Sequence, residues 1–496
     1  MQAQKPGEAN IAFTYDVMGR VLSQTLALGT ANQAVNTYLY HFANGPASPA
    51  WVEVTDAEGK RYALRYDGAG RTVSAAQLAP SSEERRIKAL IYDLLGNKSA
   101  ETVYDQLEDR ELTLQTRYEY NGWNELARTV RPDGSVILSE RDMIANTLTT
   151  GVQGLNTTIN RYNKFNKVEE VTQVSTTGAR LKTLERGYDG FGRCNFATNV
   201  YDHRTDYAYD AFDRIREISM QPADGTSART VSVSYADFSN AQLPTEISAN
   251  GTVLGRRGYD GIGRMISTAN GGAAPWTYEY NGQAMQPSSS TSPRGIRLNY
   301  RYNNDLGTLV EIISPSNGAC GFTHDPVTGQ VTNSTNNTAE RQDAYDDYGY
   351  QKSERVTAAN VSSEASYATS PAGRPLRVTT TEGGTLAQRY DDAGRPTGSA
   401  GEGFTEEITY DSFGRVVSVR VSLAGITLET ALTFDSFGRE ETRALRLEGN
   451  TLETIRRNYS ASGQLSERKT TGATGILVSH ETFAYDAYSR WKSGER

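Results

Sequence analysis

Little in this chain supports chemistry. Only 2 of its 496 residues are cysteine, Cys194 and Cys320, which excludes a disulfide scaffold and leaves a reducing compartment at synthesis as the simplest inference. The 4 histidines, His41, His203, His324 and His480, stand singly, with no HExxH and no Cys or His at metal-ligand spacing, so neither a metal nor any other cofactor is expected. No GxSxG elbow, Walker loop or GxGxxG follows a strand pattern, and no carboxylate pair has a distinctive context. The reading is therefore noncatalytic, with no catalytic residue nominated. No apolar run reaches 18 residues and MQAQKPGEAN has no apolar core, so a membrane span and a Sec signal are both missing from the sequence. If the chain is secreted or cell-associated, it leaves the cell by a route without that signal. Lys and Arg number 51 against 59 Asp and Glu, a net charge of −8 without a long basic run, which argues against nucleic acid as a partner. The one small cluster, EERRIK at 83–88, mixes both signs and reads as a solvated strand edge or loop.

What the chain has is repetition. YDxxGR occurs at Tyr15, Asp16, Gly19, Arg20; at Tyr66, Asp67, Gly70, Arg71; and at Tyr188, Asp189, Gly192, Arg193. It recurs at Tyr259, Asp260, Gly263, Arg264; at Tyr390, Asp391, Gly394, Arg395; and at Tyr410, Asp411, Gly414, Arg415. Looser copies start at Tyr92, Tyr209, Tyr345, Phe434, Tyr459 and Tyr485, and HDPVTGQ at His324 is a degenerate one. Such self-similarity marks a repeat architecture.

Asp at the first corner and Gly at the fourth suit a type I turn, whose following left-handed Gly makes a G1 bulge between two antiparallel strands. The flanks VVSVRV (416–421) and TVSVSY (230–235) are β-branched and partly alternating. At about twelve residues per strand and turn the chain makes roughly 40 strands, a ribbon of roughly 190 Å at about 4.8 Å per strand, which must curl into a spiral or shell. Tyrosine dominates the aromatics, 29 against 13 Phe and 4 Trp, and the motif Arg can lie over such a ring or pair with the turn Asp. The four motif positions are thus read as structural.

A hydrophobic content of 37% and a mean hydropathy of −0.58 suit a thin two-faced sheet with few thick layers. No composition break divides the chain. Residues 1–9 form a loose start, 10–496 the array, and longer loops are expected at 43–50, 221–227 and 286–295, where Pro, Ser and Gly accumulate. Uncapped first and last hairpins predict a segment of a larger shell, or ends covered by another chain.

YDGIGRM, YDSFGRVVSV and FDSFGRE resemble the YD repeats of RHS proteins, and Gly258 to Arg301 together with FDSFGRE most resembles the RHS shell of Tc-type insecticidal toxin complexes. The resemblance covers essentially the whole chain. It implies an all-β, spiralling antiparallel β-hairpin ribbon forming part of a hollow shell, a structural scaffold that encapsulates and protects a toxin polypeptide, with another RHS-shell chain or the toxin cargo as partner. The family's self-cleaving aspartate segment, propeller gate and variable toxin have no counterpart in these residues, so only the wall is carried over. The alternative is a carbohydrate-binding, adhesive surface with a glycan partner, for which Trp51, Trp123, Trp276 and Trp491 are the candidate stacking rings, against core or rim packing as their ordinary use. A self-processing protease hidden in the shell is a third reading.

Overall fold

The computed structural model describes residues 2–3, 11–30, 33–45, 49–78, 84–303, 307–315 and 318–495, and among them it contains 43 strands and no helix. Of the loose start expected at 1–9, only Gln2–Ala3 is described, paired antiparallel with Ala12 and Ile11. Part of the 43–50 connection, 46–48, lies outside the described residues.

The chain divides into two compact units, a division its composition does not announce. The first comprises 1–115, 258–269 and 273–387; the second comprises 116–257, 270–272 and 388–496. Each joins an early and a late stretch of sequence.

Within each unit, strands adjacent in sequence pair antiparallel. In the first, Trp51–Thr55, Arg61–Tyr66, Thr72–Leu78, Glu84–Tyr92 and Lys98–Gln106 pair in order. EERRIK therefore contributes to a strand, where Arg86 meets Glu111 at 3.1 Å. In the second, Val136–Asp142, Thr147–Val152, Thr157–Tyr162, Val168–Val174, Arg180–Tyr188 and Cys194–Asn199 do the same. Turns at one margin of the ribbon carry the YD motif or its variants, and those at the other do not; these are the motif edge and the plain edge.

Most side chains are half-buried, and the buried apolar ones among the described residues are few and mostly small: Ala27, Ala34, Val52, Ala63, Ala76, Ala100, Leu107, Leu112, Leu114 and Leu376 in the first unit, Ala236 in the second. A two-faced sheet of low hydrophobic content has no thick layer to fill. Residues 222–228 form the connection expected at 221–227, but the stretch 286–295 is not one long loop, since apart from Gln286 only a tight turn at 292–295 remains outside a strand. Pro287–Thr291 is a strand between Trp276–Tyr280 and Arg297–Tyr302. Its serines are small enough to be buried: Ser289 bonds Glu279 at 3.0 Å and Ser290 the Tyr300 hydroxyl at 2.7 Å. Pro287 begins the strand at a bulge, where its missing N–H costs no ladder bond.

Candidate functional site

The six YDxxGR turns share one construction. The glycine N–H donates to the aspartate carbonyl, at 3.0 Å in Gly19, Gly70, Gly192, Gly263 and Gly394 and 3.1 Å in Gly414, closing a type I turn. The glycine φ lies between +74° and +87°, and the strand register slips by one residue beside the preceding tyrosine at Tyr15, Tyr66, Tyr188 and Tyr410, the mark of a G1 bulge. One aspartate oxygen accepts the N–H groups two and four residues on; the other accepts the arginine Nε at 2.7–2.8 Å in Arg20, Arg71, Arg193, Arg264, Arg395 and Arg415.

These contacts hold the carboxylates of Asp16, Asp67, Asp189, Asp260 and Asp411 below their ordinary range. For Asp16 and Asp67 the largest cause is the backbone N–H of Arg20 and Arg71; for Asp189, Asp260 and Asp411 burial pushes upward, but the hydrogen bonds of the following arginine win.

The clamped arginine then reaches the next repeat. Its guanidinium lies 4.3–4.6 Å from the ring centre of the following motif aromatic: Arg71 over Tyr92, Arg193 over Tyr209, Arg395 over Tyr410, Arg415 over Phe434 and Arg439 over Tyr459. The phenol under it points back to the strand that follows the previous motif. Tyr92 donates to the Thr72 carbonyl at 3.1 Å, Tyr410 to Pro396 at 2.7 Å and Tyr459 to Glu440 at 2.8 Å. Each such bond or cation–π contact is worth about 1 kcal/mol, so cohesion comes from repetition. Sequence shows both partners but not the phenol's acceptor, although the regular Tyr-to-Tyr spacing is its signal.

In both units the motif edge of the late stretch docks on the plain edge of the early stretch. In the second unit Arg395 Nη1 lies 3.4 Å from Asp133, Thr176 N donates to the Ser436 carbonyl at 2.9 Å, and the Tyr488 hydroxyl donates to the Ser227 carbonyl at 2.7 Å beneath Arg229. Phe413 fills a notch at Gly154, where an added Cβ would stand 2.6 Å from its ring. Asp133 keeps a lowered pKa: burial works against its charge, but Ser135 and Arg395 outweigh it.

In the first unit the pin is Asp105. Its fully buried carboxylate accepts Ser370 Oγ at 2.9 Å, Ala372 N at 3.0 Å and Arg374 Nη1 at 2.5 Å. Residues 369–374, TSPAGR, are a motif copy with Ser370 in the aspartate place, so Arg374 takes its carboxylate from a residue 269 positions away. Nothing local in the sequence marks Asp105 for this role. Nearby, Arg85 bonds the Tyr348 hydroxyl at 2.5 Å across a cavity of about 710 Å³ that Asp105 and Glu111 also line.

The histidines do not converge: His41 stacks on Trp51 at 3.8 Å, His480 meets Glu467 at 2.6 Å, His203 is buried near Ser489, and His324 keeps its motif place at the start of a turn. Both cysteines are free. Among the described residues no three His, Cys, Asp or Glu gather as a metal site. Packing accounts for Trp51 alone; Trp123, Trp276 and Trp491 are exposed.

No protein-family model matches the sequence, and a search among curated proteins finds no match. Solved structures do match. The chain superposes on the TcdB2–TccC3–Cdc42 structure with a TM-score of 0.73 at 11% identity, covering 99% of this chain and 32% of that one. TcdB2–TccC3 gives 0.73 at 12% identity, covering 99% and 30%. The same complex without its hypervariable C-terminal region gives 0.73 at 11% identity, covering 99% and 32%. The fold is that of an RHS-repeat ribbon. This ribbon spans about a third of the length of those chains.

Proposed function

We propose that this RHS ribbon is a noncatalytic wall segment of a toxin complex, enclosing and protecting a toxin polypeptide. The observation that carries the reading is the docking of motif edge on plain edge in each unit. An open ribbon with bare margins would leave gaps through which an unfolded chain and a protease could meet, whereas edges joined by backbone hydrogen bonds, ion pairs and ring-in-notch contacts make a continuous barrier. The likeness to Tc toxin components, together with side chains committed to turns and staples, favours a scaffold over an enzyme. Its partners in this reading are a cargo polypeptide and a further RHS-shell chain, and the complex is secreted or cell-associated. The test is trypsin treatment of the complex isolated from its native host: an associated polypeptide that resists cleavage until the ribbon is denatured is expected, and one cut as fast as the free polypeptide contradicts the reading.

A further inference from the structure

The second unit repeats one apolar position along its motif edge. Two residues after the first corner of successive turns stand Trp123, Ile144, Phe165, Phe191 and Phe212, each with its N–H bonded to the corner Asn or Asp at 2.8–3.0 Å. All five are between 60 and 99% exposed. In the late stretch of the same unit the equivalent position is held by Phe413, Phe437 and Tyr488, whose N–H groups make the same 2.9 Å bond. Those three are half-buried. Phe413 sits in the Gly154 notch, Ser436 beside Phe437 receives Thr176 N, and Tyr488 lies under Arg229 at 3.7 Å. The structure therefore contains seats for this kind of knob on a plain edge, one of them the glycine notch at Gly154.

The late stretch of the second unit carries a plain edge of the same make. Its tips hold Gly403, Gly425, Gly449 and Gly475, with φ between +67° and +83° and open space where a Cβ would stand. Leu423, Ile426, Ile476 and Val478 flank these tips at 59–70% exposure. One unit thus presents a row of knobs and, on its other margin, a row of notches, and the contact between the two kinds of margin is already realised within the chain.

We infer that a second copy of this chain seats its plain edge, at the tips between 401 and 478, on the knob row of the first, repeating the internal docking between molecules. Two tips along an edge are two strand spacings apart, about 10 Å, so five knobs make an apolar row of about 40 Å. The contact is heterologous: knob margin meets notch margin, so each added copy presents a fresh knob row and growth is head to tail. This inference concerns the edges and does not depend on any cargo.

Sedimentation velocity on the full chain across the micromolar range tests it, with two variants whose substitutions are all at exposed positions: Phe165→Ser/Phe191→Ser/Phe212→Ser on the knob row, and Leu423→Ser/Ile426→Ser/Ile476→Ser on the notch row. Circular dichroism and melting identical to the unsubstituted chain establish that both fold. The unsubstituted chain should pass from monomer to dimer and larger species, and each variant alone should need roughly tenfold or more higher concentration to associate. An equimolar mixture of the two variants retains one intact knob row and one intact notch row, and should form a dimer that grows no further. An unsubstituted chain that stays monomeric overturns the inference, even if another polypeptide is found to cover the row. So does a notch variant that associates like the unsubstituted chain, which would mean knob meeting knob, or a mixture that remains monomeric.

Discussion

Replacing Asp105 with Ala should open the docked edge of the first unit. The carboxylate has no solvent exposure and satisfies Ser370 Oγ, the Ala372 N–H and Arg374, which is itself 22% exposed. Breaking a fully buried pair costs about 3–5 kcal/mol; water reaching Arg374 reduces this to about 2–3 kcal/mol. A repeat array opens locally before it unfolds globally, so the assay is hydrogen exchange by mass spectrometry on peptides spanning 105–110 and 370–374. Protection in both should fall roughly 30- to 150-fold, the equivalent of that energy. Adding Ser370→Asp puts a carboxylate at the first corner, where the intact motifs carry it, and should restore protection at 370–374 while 105–110 remains open. Exchange within about twofold of the unsubstituted chain at both peptides after Asp105→Ala would refute the pin, since even one net hydrogen bond lost is worth more.

Gly154→Ala places a Cβ against the Phe413 ring at a φ of +88°, and should cost about 2–4 kcal/mol from the left-handed backbone and the overpacking together, seen as faster chymotrypsin cleavage after Phe413. Tyr459→Phe keeps the ring beneath Arg439 but loses the bond to the Glu440 carbonyl, so local protection should fall by about 1 kcal/mol, and by clearly more in Tyr459→Ala. The carboxylates of Asp16, Asp67, Asp189, Asp260 and Asp411 are held below the ordinary aspartate value in the folded chain, and Asp486 is lowered to about 2 through its bond from Arg490. A depressed folded pKa gives stability that is complete above the unfolded value and is lost as pH falls through the folded one, so melting temperature should drop between about pH 4 and about pH 2. A loss centred instead above about pH 5 would assign acid sensitivity to other groups.

The hairpin fold was legible because its signal is local. An aspartate and a glycine three apart fix a turn whatever lies elsewhere, and the same four residues supply the clamp that carries Arg to the next ring. Composition misled at 287–291, where Pro and Ser suggested a loop. Serine there is the residue small enough to be buried beside Glu279 and Tyr300, and Pro287 sits where no N–H is needed. Tryptophan misled in the other direction, because on a turn tip such as Trp123 its backbone role is set by Asn121 and its ring is left outside. The docked edges were beyond reach of any local pattern. Asp105 and Arg374, or Thr176 and Ser436, are brought together only by the path of the ribbon, and the one trace in the sequence is a motif copy at Ser370 that lacks its own carboxylate.

Within each unit the ribbon returns beside itself, motif edge on plain edge. A cysteine pair at Thr176→Cys and Ser436→Cys, with Cys194→Ser and Cys320→Ser removing the native thiols, tests it directly, because Thr176 N and the Ser436 carbonyl are 2.9 Å apart. Mild oxidation of the dilute chain should give an intramolecular disulfide linking the peptides that contain 176 and 436, identified by mass spectrometry. Free thiols, or cross-links only between molecules, would contradict the account.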